Sequence, residues 1–123
     1  MKTFKFKGEE LFLEVGKYGT TGRLAVLAYT KEELYGDVTI NLPYTFLDNE
    51  KRGAYINEYT KMGGLEDKLI KLGIIEKVVN RVKYNFGTYD EVLFDIEKLR
   101  EYDKEGVEKY LQDFEVTEEE EEF

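Results

Sequence analysis

Polarity alternates along the first fifteen residues. Thr3 to Lys7 sets Phe4 and Phe6 on one face and Lys5 and Lys7 on the other. Leu11, Leu13 and Val15 then oppose Phe12 and Glu14. A period of two predicts half-buried strands, here a first hairpin turning at Gly8-Glu9-Glu10. Residues 17–23, with Gly19 and Gly22, show no period and read as a connection. Leu24 to Thr30 is nearly all apolar, as expected of a central strand, and Lys31-Glu32-Glu33 turns the chain. Leu34 and Tyr35 either re-enter the sheet before Gly36 or open the next strand. Asp37 to Leu42 puts Val38, Ile40 and Leu42 opposite Thr39 and Asn41, and pairing should stop at Pro43, which has no N–H to donate. The two strands from Leu24 to Pro43 form the hairpin to which the flanking segments are added.

After a polar loop, residues 46–53, Ala54 to Tyr59 reads as a short strand. Leu65, Leu69 and Leu72 recur at helical spacing before Gly73, with Glu66 and Asp67 in the favourable first turn. Val82, Tyr84 and Phe86 alternate with Arg81, Lys83 and Asn85, giving a strand. Gly87-Thr88-Tyr89-Asp90 is its turn and Glu91 to Asp95 the return. From Ile96 the period changes. Ile96, Leu99, Tyr102, Val107, Tyr110, Leu111 and Phe114 recur at three and four, an amphipathic helix that Gly106 splits or kinks. The expected fold is α+β: an antiparallel sheet of about five to seven strands, one short helix and an amphipathic C-terminal helix. Residues 1–114 form one domain and residues 115–123 an acidic, disordered tail.

Composition narrows the function classes. The 123 residues include 10 Tyr and 8 Phe, enough for one small core. There is no membrane-length apolar run and no signal-peptide pattern, which fits the cytoplasm. Ser, Cys and His are all absent, so no nucleophile–base pair of the usual kind and no Cys- or His-ligated metal is available. The net charge of −9 is unevenly spread: residues 1–89 hold 14 Lys/Arg against 12 Asp/Glu, and residues 90–123 hold 4 against 15. An acidic arm on a near-neutral body repels nucleic acid and membranes and attracts basic protein grooves.

Several segments together resemble the domain-of-unknown-function 4313 family: the strand ending Gly22 to Val26, then Asp37 to Pro43, Gly53 to Tyr59, the short helix closing at a glycine, and Asn85 to Leu99. Thr39, Asn41, Leu42 and Pro43 match its T-x-N-L-P strand, and Phe94, Asp95 and Leu99 its F-D-x-x-x-L ending. The resemblance spans roughly residues 3–100. The chain departs from the family in lacking an Asp-Thr-Asn-Asn run after Gly53 and in the acidic helix and tail after Leu99, which look like an extension. The resemblance implies a small cytoplasmic bacterial protein of conjugative elements, plasmids or phages. It carries over no catalytic residue, since the family has no assigned reaction. Small acidic proteins on such elements often resemble inhibitors of host defence, anti-CRISPR and anti-restriction proteins among them.

The acidic arm is the foremost candidate site. Glu97, Glu101, Glu105, Glu108 and Asp113, with the tail, can imitate phosphates in a partner's nucleic-acid groove. The competing reading is a solvated helix face with a solubilising tail. Lys98, Arg100, Lys104 and Lys109 support it by offering intrahelical pairs. Other candidates read as structure. Asn41 satisfies a turn. Asp48-Asn49-Glu50 lacks a calcium-loop pattern and is a turn. Tyr55, Tyr59, Tyr84, Tyr89 and Tyr102 straddle core and surface. The expectation is therefore a non-enzymatic inhibitor, without cofactor or metal, of a CRISPR effector or restriction enzyme, binding no nucleic acid or membrane directly. The alternative is an accessory protein of a mobile element, oligomeric through a sheet edge. An enzyme would require a concave carboxylate cluster with displaced pKa values.

Overall fold

The computed structural model describes residues 2–43 and 51–121, with side chains up to Asp113. The α+β class and the antiparallel pairing hold, but the strands divide into two sheets of four. The first contains β1 (Phe4–Phe6), β2 (Glu9–Lys17), β3 (Leu24–Tyr29) and β4 (Leu34–Asp37), in that order. The opening hairpin forms as its alternation predicts, with Phe4 opposite Leu11. Its turn is Lys7-Gly8, both at positive φ (50° and 82°), the twist that a two-residue hairpin loop needs. β3 lies antiparallel to β2 with Val15 opposite Val26. The Phe6 and Tyr35 rings meet edge to face at 6.4 Å, so this sheet coils enough to bring its first and last strands together.

The stretch from Leu34 to Leu42 serves both sheets. β4 pairs with β3, and Val38 N–H continues that ladder by donating to the Val26 carbonyl. Then β5 (Thr39–Ile40) leaves for the second sheet and pairs with β6 (Gly53–Ile56). The strand expected over Asp37–Leu42 is therefore a crossover. Thr39 stitches it: its hydroxyl accepts from Val26 N–H and shares a 2.8 Å hydrogen bond with Tyr18. Asn41 bonds Thr20 and Thr21 in the β2–β3 connection, not its own turn. The loop holding Asp48-Asn49-Glu50 lies outside the described residues.

The order in the second sheet is β5-β6-β8-β7, with β7 at Ile75–Tyr84 and β8 at Gly87–Phe94. Their turn is Asn85-Phe86, two residues ahead of the expected position. Asn85 takes φ 55°, which Asn tolerates better than most residues, and so closes a two-residue loop. Strand β6 stops at Ile56 because Asn57 caps a helix. Its side chain accepts from Tyr59 N–H and starts α1 (Glu58–Met62), where the sequence pointed to strand. Helix α2 (Leu65–Lys71) forms where Leu65 and Leu69 predicted, and Gly73 follows at φ 77°.

The C-terminal helix divides at Asp103 and not at Gly106. Helix α3 (Ile96–Tyr102) is capped by Asp95, and α4 spans Lys104–Glu121, so the helical backbone continues into the acidic end of the chain. Asp103 accepts from Gly106 N–H at 3.1 Å and from Val15 N–H of β2 at 2.8 Å. A Cβ on Gly106 would lie 2.5 Å from the Val15 carbonyl oxygen, so only glycine lets α4 dock this closely. One core forms between the sheets and helices from Leu11, Leu13, Val26, Val92, Phe94, Leu99 and Val107 with their neighbours. A smaller cluster of Leu42, Tyr55 and Val82 covers the far face of the second sheet.

Candidate functional site

The five acids expected to contact a partner are mostly neutralised within the chain. Glu97 pairs with Arg100 at 3.3 Å, and Arg100 also reaches Glu108 at 3.4 Å. Glu101 accepts a 2.8 Å hydrogen bond from Lys2 and lies 3.7 Å from Lys98. The Lys2 bond holds the Glu101 carboxyl below its usual range and the ammonium above its own. Asp113 meets Lys17 at 3.7 Å. Helical spacing provides the Lys98–Glu101 and Glu97–Arg100 pairs. Tertiary packing adds Lys2 and Lys17. Of the five, Glu105 alone has no ion-pair partner among the described residues.

A different set of acids forms no ion pair among the described residues, although Lys5 lies across the strands from Glu10. Glu9 and Glu10 begin β2, and Glu32 and Glu33 precede β4. The antiparallel register of β2 and β3, with Phe12 opposite Tyr29, brings both pairs to one cleft of about 490 Å³, in which Lys31 is the one base among the lining residues. No Lys or Arg among the described residues is in ion-pair reach of these four carboxylates. Beyond the cleft, Glu14 and Glu105 line a second depression of about 510 Å³ with Phe12, Tyr29 and Lys109. Phe12 and Tyr29 are cross-strand partners, and on β2 the positions Glu10, Phe12 and Glu14 share one face. The six glutamates thus flank one carboxylate-and-aromatic surface, from the β3–β4 turn to the start of α4. By local pattern Glu9-Glu10 and Glu32-Glu33 are turn residues. Their only signal was the repeated Glu-Glu pair, and no local rule says that two such pairs meet.

Two buried polar groups lie away from this surface. Glu66 on α2 and Asp90 on β8 form a carboxyl pair, each under 5% exposed. Lys61 donates to Asp90 at 3.0 Å, and so does Arg81. Burial pushes the Glu66 carboxyl up to about 7, helped by its hydrogen bond to Asp90 and by that neighbour's charge. Burial acts on Asp90 in the same direction, but the hydrogen bonds from Lys61 and Arg81 outweigh it and leave its carboxyl lowered. Below about pH 7 the pair therefore holds one proton, on the Glu66 side. Its displaced pKa values are what an acid–base enzyme would need. Four surface cavities among the described residues, of about 270 to 510 Å³, are lined by other residues. On the far face of the second sheet, Glu91 is 1% exposed, and burial raises its carboxyl. Beside it Arg23 stacks on the Tyr55 ring at 5.0 Å, and its charge partly offsets that rise. Among the described residues, no group of three or more acids is placed to hold a metal ion.

The tyrosines divide as well. Tyr55 and Tyr102 are buried, whereas Tyr59 is 83% exposed. Tyr84 and Tyr89 pack against the small cluster on the second sheet.

Two antiparallel sheets, four helices and an acidic cleft define a small α+β protein. The chain belongs to the family described as domain of unknown function (DUF4313), whose model matches residues 12–114. That match takes in α3 and the first half of α4, so these belong to the family's domain and do not extend it. No curated protein and no solved structure matches the chain. Among the described residues, no helix is long and apolar enough to cross a membrane.

Proposed function

We propose that the protein is a non-enzymatic, cytoplasmic inhibitor from a mobile genetic element. Its partner is a protein with a basic nucleic-acid groove, such as a CRISPR effector or restriction enzyme. The supporting observation is the convergence of Glu9, Glu10, Glu32 and Glu33 in one cleft without ion-pair partners. Four solvated carboxylates against Lys31 and the cross-strand Lys5 leave a net negative charge for a partner, and a groove that binds phosphates through Lys and Arg rows complements it. Helix α4 adds charge, having no basic residue in its last turn before Glu121. The contact set is accordingly the six glutamates of the first sheet and α4, in place of Glu97, Glu101, Glu108 and Asp113.

The test is a pull-down with the tagged protein from a lysate containing such nucleases, at low and high salt. Recovery of a nuclease at low salt, competed by DNA or guide RNA, is the expected result. Recovery of none would overturn the reading. Deleting residues 115–123 should slow association and flatten its salt dependence; no change in either would make that segment solubilising only.

A second reading has one observation in its favour. Strand β7 is a ten-residue outer strand with Val78 and Val79 about 40% exposed, so it offers an edge for a second copy of the chain. A mass that rises with concentration would support an oligomeric accessory protein.

A further inference from the structure

The acidic cleft does not end in open solvent. It shares Tyr35 with a neighbouring groove of about 430 Å³ between the β1–β2 turn, β4 and α1. The walls of this groove are Phe6, Tyr35 and Tyr59, with Leu65 behind them. Phe6 and Tyr35 brace each other edge to face, so this wall is preformed. Tyr59 is 83% exposed, Leu34 at the border with the cleft 51%, and Tyr35 41%. Lys7 and Asp37 on the rim offset one another in charge.

Exposed tyrosines around a groove that also presents Phe6 and Leu65, with Asn57 and Thr60 among them, have the composition of a binding hot spot, because they bring large contact area at small cost in side-chain freedom. A volume of 430 Å³ holds a large side chain and is small for a folded element. What enters is decided by the adjoining cleft, where four carboxylates outnumber the one lysine, favour Lys or Arg and repel an acidic chain. The two cavities meet at one residue, and an extended chain advances about 3.3 Å per residue. Side chains filling both therefore belong to positions only a few residues apart.

We propose that the Phe6–Tyr35–Tyr59 groove seats an aromatic or large aliphatic side chain of a partner's extended segment whose neighbouring Lys or Arg enters the Glu9–Glu10–Glu32–Glu33 cleft. This rests on the basic-partner reading above and adds the apolar anchor that fixes register. The carboxylates govern approach, and the aromatic groove governs residence.

The test uses the full chain, isotope-labelled for NMR, and three end-blocked pentapeptides: alternating lysine–phenylalanine, lysine–alanine and glutamate–phenylalanine. The lysine–phenylalanine peptide should bind saturably and at least tenfold more tightly than either control, with shifts at Tyr35, Tyr59 and Glu33. Tyr59→Ala, at an exposed position whose loss leaves the core intact, should weaken it about tenfold. Tyr35→Ala should do the same, with an unchanged spectrum elsewhere to confirm the fold. Equal binding of the lysine–alanine peptide, or no effect of Tyr59→Ala, would overturn the groove while leaving the acidic cleft standing. Equal binding of the glutamate–phenylalanine peptide would overturn the basic-partner reading itself. A dimer abolished by Tyr59→Ala would give the groove to a second copy and overturn the assignment to a foreign segment.

Discussion

The molecule carries two acidic surfaces, and they differ in what surrounds them. On α3 and early α4, Glu97, Glu101 and Glu108 lie within reach of Arg100, Lys98 and Lys2, so the surface is dense in charge and nearly neutral in effect. At the mouth of the first sheet, Glu9, Glu10, Glu32 and Glu33 share a cleft with Lys31 alone. Counting acids along the chain favours the first surface, whereas counting the cations within reach of each acid favours the second. Exposed pairs such as those on α3 contribute about 0–1 kcal/mol each to stability, yet they remove the long-range field that steers a partner.

The largest effect should come from removing the unneutralised set. The variant Glu9→Gln, Glu10→Gln, Glu32→Gln, Glu33→Gln should slow association with a basic partner by roughly tenfold or more at low salt, read by stopped-flow or surface plasmon resonance. It should also flatten the salt dependence. An unchanged rate would dissolve the contrast between the two surfaces.

A third kind of carboxylate sharpens that contrast: the buried pair. Glu66 has its folded-state pKa raised to about 7 from the ordinary 4.5. The folded state thus binds more protons between those values. The stability this group contributes is complete below about pH 4.5, falls as pH rises towards 7, and is flat beyond. Asp90 behaves oppositely. Its lowered carboxyl stabilises above the ordinary value of 3.8, and this is lost as pH falls through its folded value. Glu66→Gln should therefore leave stability near pH 5 little changed and raise it by about 1–2 kcal/mol at pH 8. Urea melts at both pH values measure this, and a variant as pH-dependent as the parent would contradict the shared proton.

Arg100→Ala should convert the neutralised surface into one like the cleft, because both Glu97 and Glu108 lose their partner. Stability should drop by about 0.5–1 kcal/mol, and capture of a basic partner should quicken about twofold. The smallest effect is expected from Glu97→Gln with Glu101→Gln. The melting temperature should be unchanged, with association rates within about twofold, since the charge removed was already compensated.

Much of the fold follows from local rules. Alternation over Phe4–Val15 gave the first hairpin, and the spacing of Leu65 and Leu69 gave α2. The change of period at Ile96 marked α3 and α4. Boundaries set by a single side chain were harder to read. Asn57 starts a helix inside what alternates like a strand. Asn85 turns the hairpin early by accepting positive φ. Asp103 breaks the last helix because its carboxylate is held by Val15 of β2. In each case the deciding hydrogen bond or dihedral is invisible in a count of apolar positions.

Sequence by itself determined the α+β class, the antiparallel pairing, the absence of His, Cys and Ser, and the acidic excess of residues 90–123. These depend on residue type and near-neighbour spacing, which the chain states directly. Only the tertiary structure decided which acids face a partner. That depends on pairs far apart in the chain, such as Lys2 with Glu101 and Lys17 with Asp113, and on the β2–β3 register that brings Glu9-Glu10 to Glu32-Glu33. Coulomb energy falls with distance in space and ignores distance along the chain.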